Sequence, residues 1–528
     1  MKTGLQTILF GLAVILLFQP ALAGPSEDAA AAYARRNYTE ALQLWLPLAE
    51  QGNAVAQYNL AALYENGQGV PRDSAEAGKW YRLSAGQGLA DAQFKLGVRY
   101  ENGLGVGQDT MEALKWYRLA ADQGFTQAQY NLGAIYDNAS GVRRDLAEAA
   151  KWYRQAADKG LVAAQANLGL MHEMGRGVLL DHAEAAKWYQ RAADQGDALA
   201  QGRLGAMYDK GRGVAQDFAT ALKWYRLAAD QGNAAAQNDL GVLYDQGKGV
   251  AQEYVEAVKW YRLSADQGLA AAQANLGAAY DEGHGVAPDA AEAVKWLALA
   301  AGKAYPPAQH SLGAMAANGR GGPQNHAAAA RWYRLAAVQG HAPAQFDLGL
   351  SYENGLGVPQ DYGQAAKWYR LAAEQGYTAA QFRLGVSYDL GQGVTQDYVE
   401  AIKWYRAAMA QGDAAAQNSL GSMYEYGLGV PQDYVEAVKW YQLAANQGYA
   451  KAQYNLGLMH ANGRGLPQDF MIAHQWLDLA VQAGSALAPK DLDDATDNRD
   501  QIAARLTPEQ LGEAQRRVQA WLAAHSKP

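Results

Sequence analysis

Three sets of side chains in this chain could do chemistry. Acids recur at 36-residue intervals as Glu65, Glu101, Asp137, Glu173, Asp209, Asp245, Asp281, Glu353, Asp389 and Glu425. A pair such as Glu65 and Glu101 acting together would supply the acid and base of a hydrolase, and the whole row would steer a basic segment. The competing reading is a solvated position beside a loop. Histidines form the second set: His310, His326 and His341 fall near one another, and the same period would bring the first and third onto adjacent units. No C-x-x-C, H-x-x-H or H-E-x-x-H spacing accompanies them, so no metal ligand is assigned. His172 and His460 stand where other units have tyrosine and read as core substitutes. The many G-x-G turns follow no strand and carry no P-loop Lys-Ser/Thr; G-x-S-x-G, Ser-x-x-Lys and a cysteine nucleophile are also missing. We therefore assign no catalytic residue and no cofactor.

The third set occupies one recurring position: Tyr58, Phe94, Tyr130, Ala166, Gly202, Asn238, Ala274, His310, Phe346, Phe382, Asn418 and Tyr454. Its aromatics cluster toward both ends. Tyr58, Phe94, Tyr130, Phe346, Phe382 and Tyr454, with Asn238 and His310, are the candidate partner-binding residues, able to grip an extended peptide or stack on sugar rings. Alternatively they pack against neighbouring helices, because periodicity alone does not separate exposed from core aromatics.

What positions these residues is a repeat. Tryptophan returns every 36 residues, from Trp80, Trp116 and Trp152 on to Trp476, with Trp45 one residue out of step. Such a period marks a solenoid, whose units bury their apolar faces only by stacking. The unit Gly232 to Gln267 writes two helices: Ala236, Leu240 and Tyr244 share one face, and Ala257, Trp260, Tyr261, Ser264 and Ala265 follow the i, i+3, i+4, i+7, i+8 stripe. Gly247 and its equivalents from Gly67 to Gly463 stop the first helix in the left-handed conformation, Ala139 being the exception. Asp73 with Glu76, and likewise Asp109 with Glu112, resemble a capping box at the start of the second. Eleven mid-helix glycines, Gly97 through Gly457, each cost about 1 kcal/mol against alanine. They require the close approach of a helix carrying Trp and Tyr.

The pattern A-x-A-Q-x-x-L-G-x-x-Y-[DE]-x-G-x-G-V-x-x-D-x-x-x-A-x-K-W-Y-x-x-A-A, twelve times over residues 52–483, resembles the Sel-one-like repeat (SLR), a relative of the tetratricopeptide repeat. The resemblance implies an all-α solenoid of about twelve helix hairpins in a right-handed superhelix, first helices lining the concave side. It also implies a scaffold or adaptor role at the cell envelope. Some relatives are linked to β-lactam binding or hydrolysis, but those are disulfide-stapled and this chain has no cysteine.

Residues 24–51 read as an N-terminal capping helix pair and 484–528 as a C-terminal cap, in which Thr507, Pro508 and Gln510 open a helix through Trp521. Between them lie repeats 1–7 (52–303) and repeats 8–12 (304–483). The unit 304–339 departs from the pattern: Pro306 and Pro307 enter its first helix, Ala316 replaces the tyrosine and Asn325 the aspartate, which marks a seam with a looser, bent junction. Residues 1–23 have a secretory layout, with Lys2, an apolar run from Ile8 to Phe18 and Ala21-Leu22-Ala23, so cleavage after Ala23 and a periplasmic or secreted address are expected. The apolar run is shorter than the roughly 20 residues that span a bilayer, so an integral membrane protein is not expected. With 45 basic against 53 acidic residues the formal charge is −8, and loss of Lys2 makes it about −9. That balance disfavours nucleic acid and anionic lipid as partners. The expected function is a periplasmic protein–protein interaction scaffold binding an extended segment of another envelope protein. Carbohydrate binding, to peptidoglycan or exopolysaccharide, is the alternative, and a hydrolase the third reading.

Overall fold

The computed structural model describes residues 24–525; the expected leader and cleavage site lie outside the described residues. Twenty-eight α-helices and one 3-10 turn make up this part of the chain, with no strand among the described residues. They fall into two compact units, Met1–Trp260 and Tyr261–Pro528. Each unit is a run of antiparallel hairpins repeating every 36 residues. The first begins with the capping pair Pro25–Ala34 and Tyr38–Glu50, then Ala54–Asn66 with Ser74–Gly86, Ala90–Asn102 with Thr110–Asp122, and Thr126–Asn138 with Leu146–Asp158. The second runs from Ala270–Glu282 with Ala290–Gly302 to Ala450–Asn462 with Phe470–Gln482, and ends in Pro489–Ala503 and Pro508–His525. The charged stretch from Asp491 to Asp500 is thus a helix of its own, and the C-terminal cap is two helices where the sequence showed one.

The stops are those the glycines require: Gly67 has φ +66°, Gly103 +69° and Gly463 +62°, and Ala139 takes the same left-handed conformation at +56°. Second helices start on an aspartate whose carboxylate accepts backbone N–H bonds, as Asp73 does from Ala75 and Glu76, both at 2.9 Å. The capping box is only half formed. The Asp73 N–H donates to Tyr64 O of the first helix at 3.0 Å, and Asp109 N–H to Tyr100 O at 2.9 Å, so the glutamate three residues on has nothing to return to. It turns along its helix: Glu112 accepts from Lys115 at 3.2 Å and from the Trp116 indole at 3.1 Å. The complete box is at Thr507 and Gln510, which exchange N–H bonds of 2.9 and 3.3 Å.

Packing explains the mid-helix glycines. A Cβ on Gly97 would lie 2.6 Å from the Tyr117 ring, one on Gly133 2.6 Å from Tyr153 and one on Gly385 2.7 Å from Tyr405. Where the second helix carries leucine after its tryptophan, Leu297 and Leu477 fill the same contact at Gly277 and Gly457, also at 2.7 Å. Tyrosine, not tryptophan, makes the close approach. Tryptophan joins repeats: Trp152 packs into a cluster with Tyr117 and Ala120 of the preceding second helix and with Ala128 and Leu132 of its own first helix.

The divergent unit keeps the hairpin, Pro306–Asn318 with His326–Ala337. Pro306 and Pro307 sit in the first turn, where a missing N–H costs no helical bond. The next first helix, Ala342–Asn354, is capped by His341, whose Nδ1 accepts the Ala344 N–H at 3.3 Å.

Two measurements test these contacts. Gly385→Ala is expected to destabilise by about 2 kcal/mol, since overpacking outweighs the helix-propensity gain; Gly86→Ala, at a helix end with nothing within 4 Å of the added methyl, should stabilise by up to about 1 kcal/mol. Denaturation midpoints followed by circular dichroism give both signs. Burial, and then the neighbouring His310, push His341 below its ordinary pKa, and protonation would remove the lone pair that caps the helix. The unfolded chain therefore takes up this proton first. Stability is expected to fall as pH drops below about 6.5 toward the lowered folded pKa, and His341→Asn, which caps without titrating, should reduce that fall.

Candidate partner-binding face

The recurring aromatic position lies directly after the buried glutamine of each first helix, and its side chain leans on the second-helix tyrosine of the same hairpin. Ring centroids are 5.7 Å apart for Phe94 and Tyr117, 5.6 Å for Tyr130 and Tyr153, 5.7 Å for Phe346 and Tyr369, and 5.9 Å for Phe382 and Tyr405. Two of these rings also touch the residue that opens the next hairpin: Phe94 meets Phe125 at 5.0 Å and Phe346 meets Tyr377 at 5.3 Å. Phe94, Tyr130, Phe346, Phe382 and Tyr454 are half-buried, each keeping part of its surface accessible, and Tyr454 also packs against the clusters that hold Leu487, Ala495 and Ile502 of the C-terminal cap. Tyr58 differs. It is 4% exposed, edge-on to Tyr81 at 5.5 Å, and has no surface left for a partner. Asn238, 7% exposed, donates to Asp239 at 3.0 Å and is likewise buried in the array.

His310 takes the aromatic slot of its hairpin and keeps the geometry, with Tyr333 at 5.6 Å and His341 at 5.1 Å. The period does bring the first and third histidines together. Asp347, one repeat on, closes the group at 2.7 Å from His310 Nε2, leaving a half-buried patch that is polar where neighbouring hairpins are aromatic. Among the described residues no group of three or more His, Cys, Asp or Glu is arranged to hold a metal ion.

The recurring acids are neither a free ridge nor simply solvated. The second-helix tyrosine of the same hairpin donates its hydroxyl to them: Tyr81 to Glu65 at 3.0 Å, Tyr117 to Glu101 at 2.6 Å, Tyr189 to Glu173 at 2.7 Å and Tyr441 to Glu425 at 2.8 Å. Burial first, then the adjacent carboxylate, holds these phenols well above their ordinary pKa, as at Tyr117, so they remain neutral donors. A cation from a later repeat joins the pair at Glu425, where Arg464 lies at 3.4 Å, and takes the acid where no tyrosine bond is made, Arg176 with Asp137 at 2.6 Å and Arg320 with Asp281 at 2.8 Å. Arg99 is the extreme case, 1% exposed, donating to Glu65 and to Ser74 Oγ at 2.8 Å each. Carboxylates engaged in this way tie helices together, and Glu65 and Glu101 are each bonded by the tyrosine of their own hairpin. The lysines of the second helices pair with the glutamates three residues before them, Lys79 with Glu76 at 2.7 Å and Lys439 with Glu436 at 2.6 Å. The following arginines reach the next repeat, Arg82 donating to the Tyr100 hydroxyl at 3.1 Å.

One role was missed by sequence reasoning. The glutamine of A-x-A-Q is buried and donates to a carbonyl eight residues back, at the end of the preceding second helix: Gln57 to Ala49 O at 2.9 Å, Gln165 to Ala157 O at 3.1 Å. Its own oxygen accepts from the glutamine that ends the second helix of its hairpin, Gln87 to Gln57 at 2.7 Å and Gln195 to Gln165 at 2.8 Å. The signal was present, since Gln recurs at both places 30 residues apart.

No helix among the described residues is long and apolar enough to cross a membrane. Comparison with known proteins places this geometry. No curated protein matches the chain. A solved structure of c5321, a protective antigen present in uropathogenic Escherichia coli strains and displaying an SLR fold, is 37% identical over 84% of this chain and 94% of its own, with TM-score 0.66. A Sel1 repeat protein from Oxalobacter formigenes is 35% identical over 59% of this chain and 90% of its own, with TM-score 0.49. The Sel1 repeat model matches thirteen successive segments, from 31–53 and 54–89 through to 450–485, so that the N-terminal cap is itself a partial repeat. By this match and these hairpins, the chain belongs to the Sel1 repeat family.

Proposed function

We propose that the chain is an envelope scaffold whose first-helix face binds an extended segment of another protein, with Phe94, Tyr130, Phe346, Phe382 and Tyr454 as anchors and His310 as a polar contact. The repeat architecture itself suits protein–protein interaction. The observation that carries the finer reading is the half-burial of these rings. Each is fixed by a second-helix tyrosine, or at Tyr454 by the Lys451 ammonium 5.0 Å from its centroid and by the C-terminal cap. A ring held in one orientation contributes contact area at little entropic cost. Sugar stacking needs a broad open face, and Phe94 and Phe346 each give contact to two neighbouring rings, which favours peptide over glycan. The leader-like residues 1–23 support the periplasm as the place of work.

A photoreactive residue at position 94, and separately at 346, should capture one discrete protein in living cells. Phe382→Ala with Tyr454→Ala is expected to lower capture at least tenfold. Capture of no protein at either position, with co-sedimentation of the chain on purified cell wall, would overturn the peptide reading in favour of glycan.

A further inference from the structure

The second helices carry a row of leucines on their outer side: Leu83, Leu119, Leu227, Leu263, Leu299, Leu335, Leu371 and Leu443, each between 40% and 52% exposed. Leucines at one repeat register are an apolar patch that stacking does not consume. The next in register, Leu479, is 3% exposed. What covers it is the chain's own helix Pro508–His525. Val518 of that helix is fully buried in one cluster with Trp476 and Leu479, and Trp521 and Leu522 pack against that cluster. Trp521 meets Trp476 edge-on at 6.4 Å. Its ring tip lies 3.7 Å from the place a Cβ on Gly448 would take.

Gly448, Trp476 and Leu479 therefore form a notch, a wall and a rung, spaced 28 and 31 residues from the glycine, and the repeat copies them. Gly412 with Trp440 and Leu443, and Gly340 with Trp368 and Leu371, have the same spacing, as in the first unit do Gly52 with Trp80 and Leu83, Gly88 with Trp116 and Leu119, and Gly196 with Trp224 and Leu227. At each of these glycines nothing lies within 4 Å of the notch position. Elsewhere in the second unit the site is altered: Ala407 stands in place of leucine beside Gly376, Ala304 replaces the glycine before Trp332 and Leu335, and the Lys303 ammonium fills the notch at Gly268.

We infer that the open rungs, among them Gly412–Trp440–Leu443 and Gly340–Trp368–Leu371, dock an amphipathic α-helix of another protein bearing tryptophan and aliphatic residues at i, i+3 and i+4 spacing. The template is Val518, Trp521 and Leu522, already seated on the equivalent rung. Helix-in-groove recognition uses this spacing. The site lies on the second helices and is independent of the first-helix face proposed above. The chain's own helix is tethered, which supplies an effective concentration of order millimolar, and Ala483 leaves its rung wider than Gln447 and Gln375 leave the upstream ones. A free helix thus binds more weakly than the tethered one.

The test is a synthetic peptide of residues 505–525 with a photoreactive group replacing the Trp521 side chain, added to the full-length chain and mapped by mass spectrometry. Expected are saturable adducts around Leu443 and Leu371, competed by unlabelled native peptide and at least tenfold less well by the Trp521→Ala peptide. Leu371→Glu with Leu443→Glu should abolish these adducts without moving the thermal midpoint, because both side chains are half exposed. Absence of saturable labelling, adducts on the first helices, or adducts confined to the Gly448–Leu479 rung would overturn the inference.

Discussion

The contact between a second-helix tyrosine and a first-helix glycine sets the geometry of most hairpins. With no Cβ on Gly97 or Gly133, the ring of Tyr117 or Tyr153 lies directly on the backbone, closer than any helix pair bearing side chains at that point. That depth puts the phenol hydroxyl within reach of the acid ending the first helix, as at Glu101 and Glu173. Such an acid can then hold a cation from a later repeat, as Glu425, bonded by Tyr441, holds Arg464. One missing methyl group thus fixes a chain of polar contacts leading from one hairpin to the next, and the buried glutamines tie the same hairpins together on the other side.

Features that depend on a residue and its near neighbours were legible in the sequence. The left-handed stops, the aspartate caps and the need for close approach at the glycines follow from backbone conformation and helix propensity, which act locally. Features that depend on a partner 16 or 30 residues away were not. Period places Glu101 on a face but does not say that Tyr117 arrives there, so the acid row read as a ridge or a solvated edge when its members are half-buried acceptors. The capping box failed for the same reason: the Asp109 N–H, free in any local reading, goes to Tyr100 O of the facing helix. Tyr58 was indistinguishable from Phe94 by period, and the two differ only in what lies around them.

The residue opening each first helix shows how packing and local chemistry compete at one position. Where it is Asn53, Asp197, Asn233 or Asp413, its side chain caps the helix, which stabilises by about 1 kcal/mol. Where it is Phe125 or Tyr377, the cap bond is lost and the ring tiles against Phe94 or Phe346 instead, a contact of about 0.5–1.5 kcal/mol. The two are nearly equal, so the choice is open to variation at little cost in stability, and it alters the face that the first helices present. His341 does both, capping through Nδ1 and packing on the His310 ring. It can do so only while neutral. The divergent hairpin is therefore where the array's packing is conditional on protonation, whereas at Phe94 with Phe125 and at Phe346 with Tyr377 the same slot is held by rings that carry no titrating group near neutrality.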